Sequence, residues 1–156
     1  MYRNNILTFV IIAVVSAFCS CNRSTVYSQY RHTSLAGWER NDTLTFSIAK
    51  MKEDVSLRAT LGLRVNDSFP FKTLCLIVEK TVSPDNIVTC DTVNCKLFDE
   101  DGKSMGRGVS YYQYNVHFTN TKLLKGDSLT IKVRHNMKRE IMPGIADVGI
   151  TLEKAQ

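Results

Sequence analysis

The chain has 156 residues, 44% hydrophobic and 22% charged, with a formal net charge of +5. That length suits one domain whose core can bury roughly two thirds of the unfolded surface, and the composition is that of a globular protein rather than a low-complexity one. The basic residues are scattered singly or in pairs (Lys50 and Lys52, Lys138 and Arg139), which reads as a mildly positive solvated surface rather than one built for a nucleic acid or an anionic membrane.

Residues 1–5, MYRNN, are short and polar with one positive charge, and residues 6–19, ILTFVIIAVVSAFC, carry none. A bilayer span needs about 20 apolar residues, whereas a secretory signal needs a positive start, about 7–15 apolar residues and a small residue before the cut. The second description fits. Phe18-Cys19-Ser20-Cys21 resembles a bacterial lipobox, with the small Ser20 just ahead of Cys21. The resemblance implies that residues 1–20 are a cleaved lipoprotein signal peptide and that Cys21 receives the lipid, with Cys19 leaving in the signal. The alternatives are a soluble secreted protein cut nearby and an uncleaved inner-membrane anchor. Two or more acyl chains make a stable anchor, because each buried methylene contributes about 0.8 kcal/mol. Residues 21–35 read as the lipidated N-terminus and a polar tether, and residues 36–156 as a single β-sandwich domain. Asn22 rather than Asp after Cys21 suits transfer to the outer membrane, and the lack of an acidic run beyond it favours the periplasmic face.

Period-two alternation dominates the body. Leu44, Phe46 and Ile48 alternate with threonine and serine. Val55, Leu57, Ala59, Leu61, Leu63 and Val65 hold one face of a half-buried strand, or of two short strands joined around Gly62. Leu74–Val78 is continuously apolar and reads as a strand buried on both faces. Tyr112, Tyr114, Val116 and Phe118 alternate, as do Leu129, Ile131 and Val133, then Val148, Ile150 and Leu152. Asn66-Asp67-Ser68, Ser83-Pro84-Asp85-Asn86, Asp101-Gly102, Lys125-Gly126-Asp127 and Pro143-Gly144 punctuate these runs as turns. No helical period is sustained. The expectation is an all-β fold, an antiparallel β-sandwich of about seven or eight strands.

A chemistry is not visible. Cys75, Cys90 and Cys95 remain beyond the signal, an odd number that leaves at least one thiol unpaired within the chain. On one extended strand Cys90 and Cys95 would face opposite ways, so they could bond only if the chain bends between them, and Cys75 could meet either one across strands. Buried free thiols are the plainer reading. His32, His117 and His135 are dispersed, and no CxxC or HExxH occurs. Asp99-Glu100-Asp101-Gly102 has the oxygens of a calcium loop but not the spacing. No GxSxG elbow is present, and Met105-Gly106-Arg107-Gly108 lacks a strand-to-helix context for phosphate. Tyr111, Tyr112 and Tyr114 could stack on sugars or pack across strands. No catalytic residue, cofactor or metal is expected.

Several segments together resemble the GldH family of gliding-motility lipoproteins of Bacteroidota. They are the lipobox at Cys21, Trp38 followed by the Phe46 strand, and Arg64-Val65-Asn66-Asp67-Ser68-Phe69-Pro70-Phe71-Lys72-Thr73-Leu74. The glycine-rich stretch 101–108 and the tail Ile141-Met142-Pro143-Gly144-Ile145-Ala146-Asp147-Val148-Gly149-Ile150-Thr151-Leu152-Glu153 complete the set. The resemblance implies a non-enzymatic envelope lipoprotein, held in the membrane through Cys21 and partnered by other proteins of a motility or associated secretion complex. The alternative is a lipid-anchored glycan-binding module using exposed Trp38 and the tyrosines. A small envelope hydrolase is the third reading, and it would need a convergent polar pocket.

Overall fold

The computed structural model describes residues 24–155; the signal peptide expected over 1–20 and the lipid site Cys21 lie outside the described residues. Among the described residues there is no helix. Ten strands form: β1 (Thr25–His32), β2 (Trp38–Glu39), β3 (Leu44–Ile48), β4 (Val55–Val65), β5 (Thr73–Ser83), β6 (Ile87–Lys96), β7 (Tyr112–Leu123), β8 (Ser128–His135), β9 (Ile141–Met142) and β10 (Ile145–Lys154). One antiparallel sheet has the order β1-β10-β4-β7 and the other β3-β8-β5-β6, with β2 and β9 as a two-residue ladder. The expected all-β sandwich is what forms; the strands not located from the sequence are the edge strands β1 and β6 and the two-residue pair β2 and β9.

The core follows from the alternation. Leu57, Ala59, Leu61, Leu63 and Val65 of β4 point inward, facing Leu74, Leu76 and Val78 of β5 and Ile131 and Val133 of β8 across the sandwich, and all are buried. Apolar burial of this extent is the principal driving force for the fold.

Two features refine the sequence expectations, at β4 and β6, and two differ from them, at β5 and β1. β4 runs unbroken through Gly62, because the glycine makes room for an aromatic ring. Gly62 and Gly149 are cross-strand partners, and a Cβ on either would fall 2.2 or 2.6 Å from Tyr30. β5 is buried on one face only: Leu74, Leu76 and Val78 face the core, while Cys75 and Ile77 are half-buried on an uncovered outer face. β6 has no apolar alternation until Val93 and Cys95 because it is an edge strand, exposed over most of its length. The fourth is a correction to the tether of residues 21–35. Thr25–His32 of that stretch is edge strand β1, paired with β10 from Thr25↔Glu153 to His32↔Asp147. Its anchoring residues, Tyr27 toward the core and Tyr30 on the outer face, are three apart, and a register shift separates Thr25 from Tyr27, so no period-two signal appears.

Strand directions give the sandwich two ends. At the near end, β1 begins, β10 finishes, and loops 49–54 and 124–127 cross from sheet to sheet. At the far end lie the segment after β1 and loops 66–72, 97–111 and 136–140.

Candidate functional site

The near end is built from two loops that hydrogen-bond to each other. Met51 N–H donates to Asp127 O at 2.7 Å, Gly126 N–H to Met51 O at 2.9 Å, and Lys125 N–H to Asp54 Oδ1 at 2.8 Å. Lys154 N–H donates to Ser24 O at 2.7 Å, tying the start of the described chain to the end of β10. Between them is an apolar hollow of about 340 Å³ lined by Val26, Tyr27, Ile48, Met51 and Val55.

The far end holds a larger cleft of about 640 Å³, lined in part by His32, Leu35, Arg64, Asn66, Tyr111 and Asp147. Register places His32, Asp147 and Arg64 side by side on β1, β10 and β4. Asp147 is buried; His32 Nδ1 meets its Oδ1, and Arg64 Nη1 lies 3.5 Å from its Oδ2. The Arg64 guanidinium also sits 5.4 Å from the Tyr30 ring centroid. With a basic side chain at each oxygen, the carboxylate clamps the edge strand to its sheet instead of presenting a free base. Below this triplet the outer sheet face is polar, carrying Ser28, Thr60, Asn115, His117 and Thr151.

Trp38 fills the far end of the core. It is fully buried, donates from Nε1 to Asp42 O at 2.9 Å and packs edge-on to His135 with centroids 5.3 Å apart. This corrects the expectation of an exposed Trp38 on which a sugar could stack. His135 is also fully buried; its Nε2 donates to Trp38 O at 3.0 Å and its Nδ1 accepts from Met137 N–H at 3.4 Å. That pattern assigns the neutral Nε2–H tautomer, and burial lowers the ring's pKa. The three tyrosines split. Tyr114 is buried with its hydroxyl on Leu97 O at 2.9 Å, and desolvation raises its pKa; Tyr112 is half-buried against Phe98; Tyr111 is exposed.

The remaining sequence candidates fall apart as chemistry. Asp99 Oδ1 accepts the N–H groups of Asp101 and Lys103, closing a solvated turn. Glu100 accepts a hydrogen bond from Lys72 and is held below the usual carboxylate range by it, then by Lys96. Gly106 and Gly108 belong to a strap packed on the tyrosine strand, where a Cβ would strike Tyr114 at 2.7 Å or Tyr111 O at 1.9 Å. Cys75, Cys90 and Cys95 are free thiols. Cys90 and Cys95 share β6 on opposite faces, and burial, then Cys75, pushes Cys95 up to about 12, which keeps it protonated and unreactive.

Sequence reasoning missed the exposed apolar residues of the far end. Leu35 (108%), Val109 (87%), Met105, Tyr111, Ile141 and Phe71 project from its loops and from β9. An aromatic series holds the loops from beneath: Phe69 packs edge-on to Phe71 at 5.9 Å and stacks on Phe98 at 6.4 Å, and Phe98 meets Tyr112 edge-on at 6.4 Å. The signal was present as isolated apolar residues in polar loops, but periodicity searches pass over single residues.

Comparison with known proteins bears on this geometry. The family described as GldH lipoprotein matches residues 25–152. The gliding motility lipoprotein GldH of Flavobacterium johnsoniae is 28% identical over 158 aligned positions, covering 93% of this chain and 94% of that protein. A gliding motility lipoprotein GldH homolog of Christiangramia forsetii is 23% identical, covering 98% of each. Among solved structures, a CocE/NonD family hydrolase from Staphylococcus aureus aligns with 9% identity and a TM-score of 0.40 over 85% of this chain and 34% of that one, too remote to bear on function.

Proposed function

The chain belongs to the GldH lipoprotein family, and from that premise we propose that it is a lipid-anchored, non-enzymatic interaction component of a motility or associated secretion complex. In this reading Cys21 carries the lipid, and the protein sits on the outer membrane facing the periplasm. The observation that supports an interaction role is the far end, where Leu35 and Val109 stand almost fully exposed, Val109 on a loop braced by packed aromatics. Apolar side chains presented on a rigid support have the character of protein-binding surface. The absence of catalysis is supported by the engagement of Asp147 with His32 and Arg64 and by the protonated state of Cys95.

The test is affinity purification of the tagged protein from membranes beside a Cys21→Ala control. A defined set of envelope proteins is expected with the wild type and is lost with the control. If nothing co-purifies and Cys21→Ala still fractionates with membranes, both the anchor and the complex readings fail, and glycan binding becomes the reading to pursue.

A further inference from the structure

We infer that the near end of the sandwich docks directly on the phospholipid surface, so that the domain stands on the membrane with its far end outward. This rests on the reading of Cys21 as the lipid site. Cys21 precedes Ser24 by three residues, and at about 3.3–3.6 Å per residue the connection spans at most about 11 Å. Ser24 O is bonded to Lys154 N–H, and β1 is folded from Thr25 onward. A lipid on Cys21 therefore leaves little slack to lift the domain off the bilayer; the end that holds Ser24 stays within about 11 Å of the lipidated residue.

The side chains at that end suit this occupant. Val26 and Leu124 are exposed, as are Ile87 and Val88 at the start of β6, and the apolar hollow lies beside Val26. Exposed Lys50, Lys52 and Lys125 make no ion pair among the described residues. Three of the nearby acids are engaged, Glu53 Oε1 with Lys154 Nζ at 2.6 Å, Asp54 with Lys125 N–H and Asp127 with Leu124 N–H at 2.8 Å; Asp85 in the β5–β6 turn and Glu153 make no ion pair among the described residues. Apolar tips beside unpaired lysines match the acyl boundary and the anionic headgroups of a membrane interface.

The experiment reconstitutes the purified, processed protein in vesicles of phosphatidylethanolamine and phosphatidylglycerol. A photoreactive benzoylphenylalanine replaces Leu124, Lys52 or, as the far-end control, Val109; all three positions are exposed, so the fold tolerates the probe. After illumination, mass spectrometry reads both the adducts and the N-terminal peptide. Phospholipid adducts are expected at positions 124 and 52 and none at 109. An acylated Cys21 with no lipid adduct at 124 and 52, with equal adducts at all three positions, or with protein adducts in their place overturns the docking alone. An N-terminal peptide without acyl mass overturns the anchor reading and the docking with it.

Discussion

The two ends of the sandwich are made differently. At the near end, loops 49–54 and 124–127 are short and held by backbone and carboxylate hydrogen bonds, and their core contact is the half-buried Met51. At the far end, the longer loops 66–72 and 97–111 are pinned by Phe69 and Phe98, and the buried Trp38 and Met142 fill the core beside the short segments 33–37 and 136–140. Short turns close a sandwich with main-chain hydrogen bonds alone. Long ones need hydrophobic pins to offset the entropy of ordering them. The lesson is that the far end is rigid by packing and can therefore present exposed apolar groups in a defined arrangement.

That contrast can be broken by experiment. The largest effect expected is on partner recovery: the double substitution Leu35→Asp with Val109→Asp should abolish co-purification of partners. Its unfolding free energy should stay within about 0.5 kcal/mol of wild type, since both side chains are exposed. Trp38→Ala should cost about 3–5 kcal/mol in denaturant unfolding, by removing the side chain that fills the far end; Met51→Ala, at the near end, should cost clearly less. A glycine pair sharpens the point. Gly126→Ala, where φ is +96° and nothing lies within 4 Å, should cost about 1–2 kcal/mol for the left-handed backbone alone. Gly144→Ala, where φ is +82° and a Cβ would lie 2.2 Å from Phe69 N, should cost more, and the difference measures how tightly the far end is packed.

The smallest effect is one of pH. Burial lowers the pKa of His135 from 6.5 in the folded state. Below about pH 6.5 the unfolded chain takes up a proton that the folded ring refuses, so this residue's contribution is present above that pH. Stability falls with decreasing pH until the folded ring titrates. Urea unfolding across that window should show this slope in wild type and a flatter one in His135→Gln, and an unchanged slope would show that the ring is not held neutral.

The legible part of the fold was its apolar alternation. β3, β4, β7, β8 and β10 were readable because each has one face in the core, which imposes a period of two on their residues. The same rule hid β1 and β6, edge strands with little buried side chain, and misread β5, whose outer apolar residues Cys75 and Ile77 are only half covered. The lipid site expected at Cys21 rests on local spacing, because a processing signal is read as a linear string, and it lies outside the described residues. The His32–Asp147–Arg64 triplet and the clustering of Leu35, Val109 and Tyr111 at one end were not legible in the sequence. Each joins residues distant in the chain. By itself the sequence determined the all-β class, the turns and the resemblance to its family, since these depend on side-chain type and near-neighbour spacing. Only the tertiary structure decided which residues meet at each end, because strand order and register in a sandwich are set by long-range pairing that no local pattern encodes.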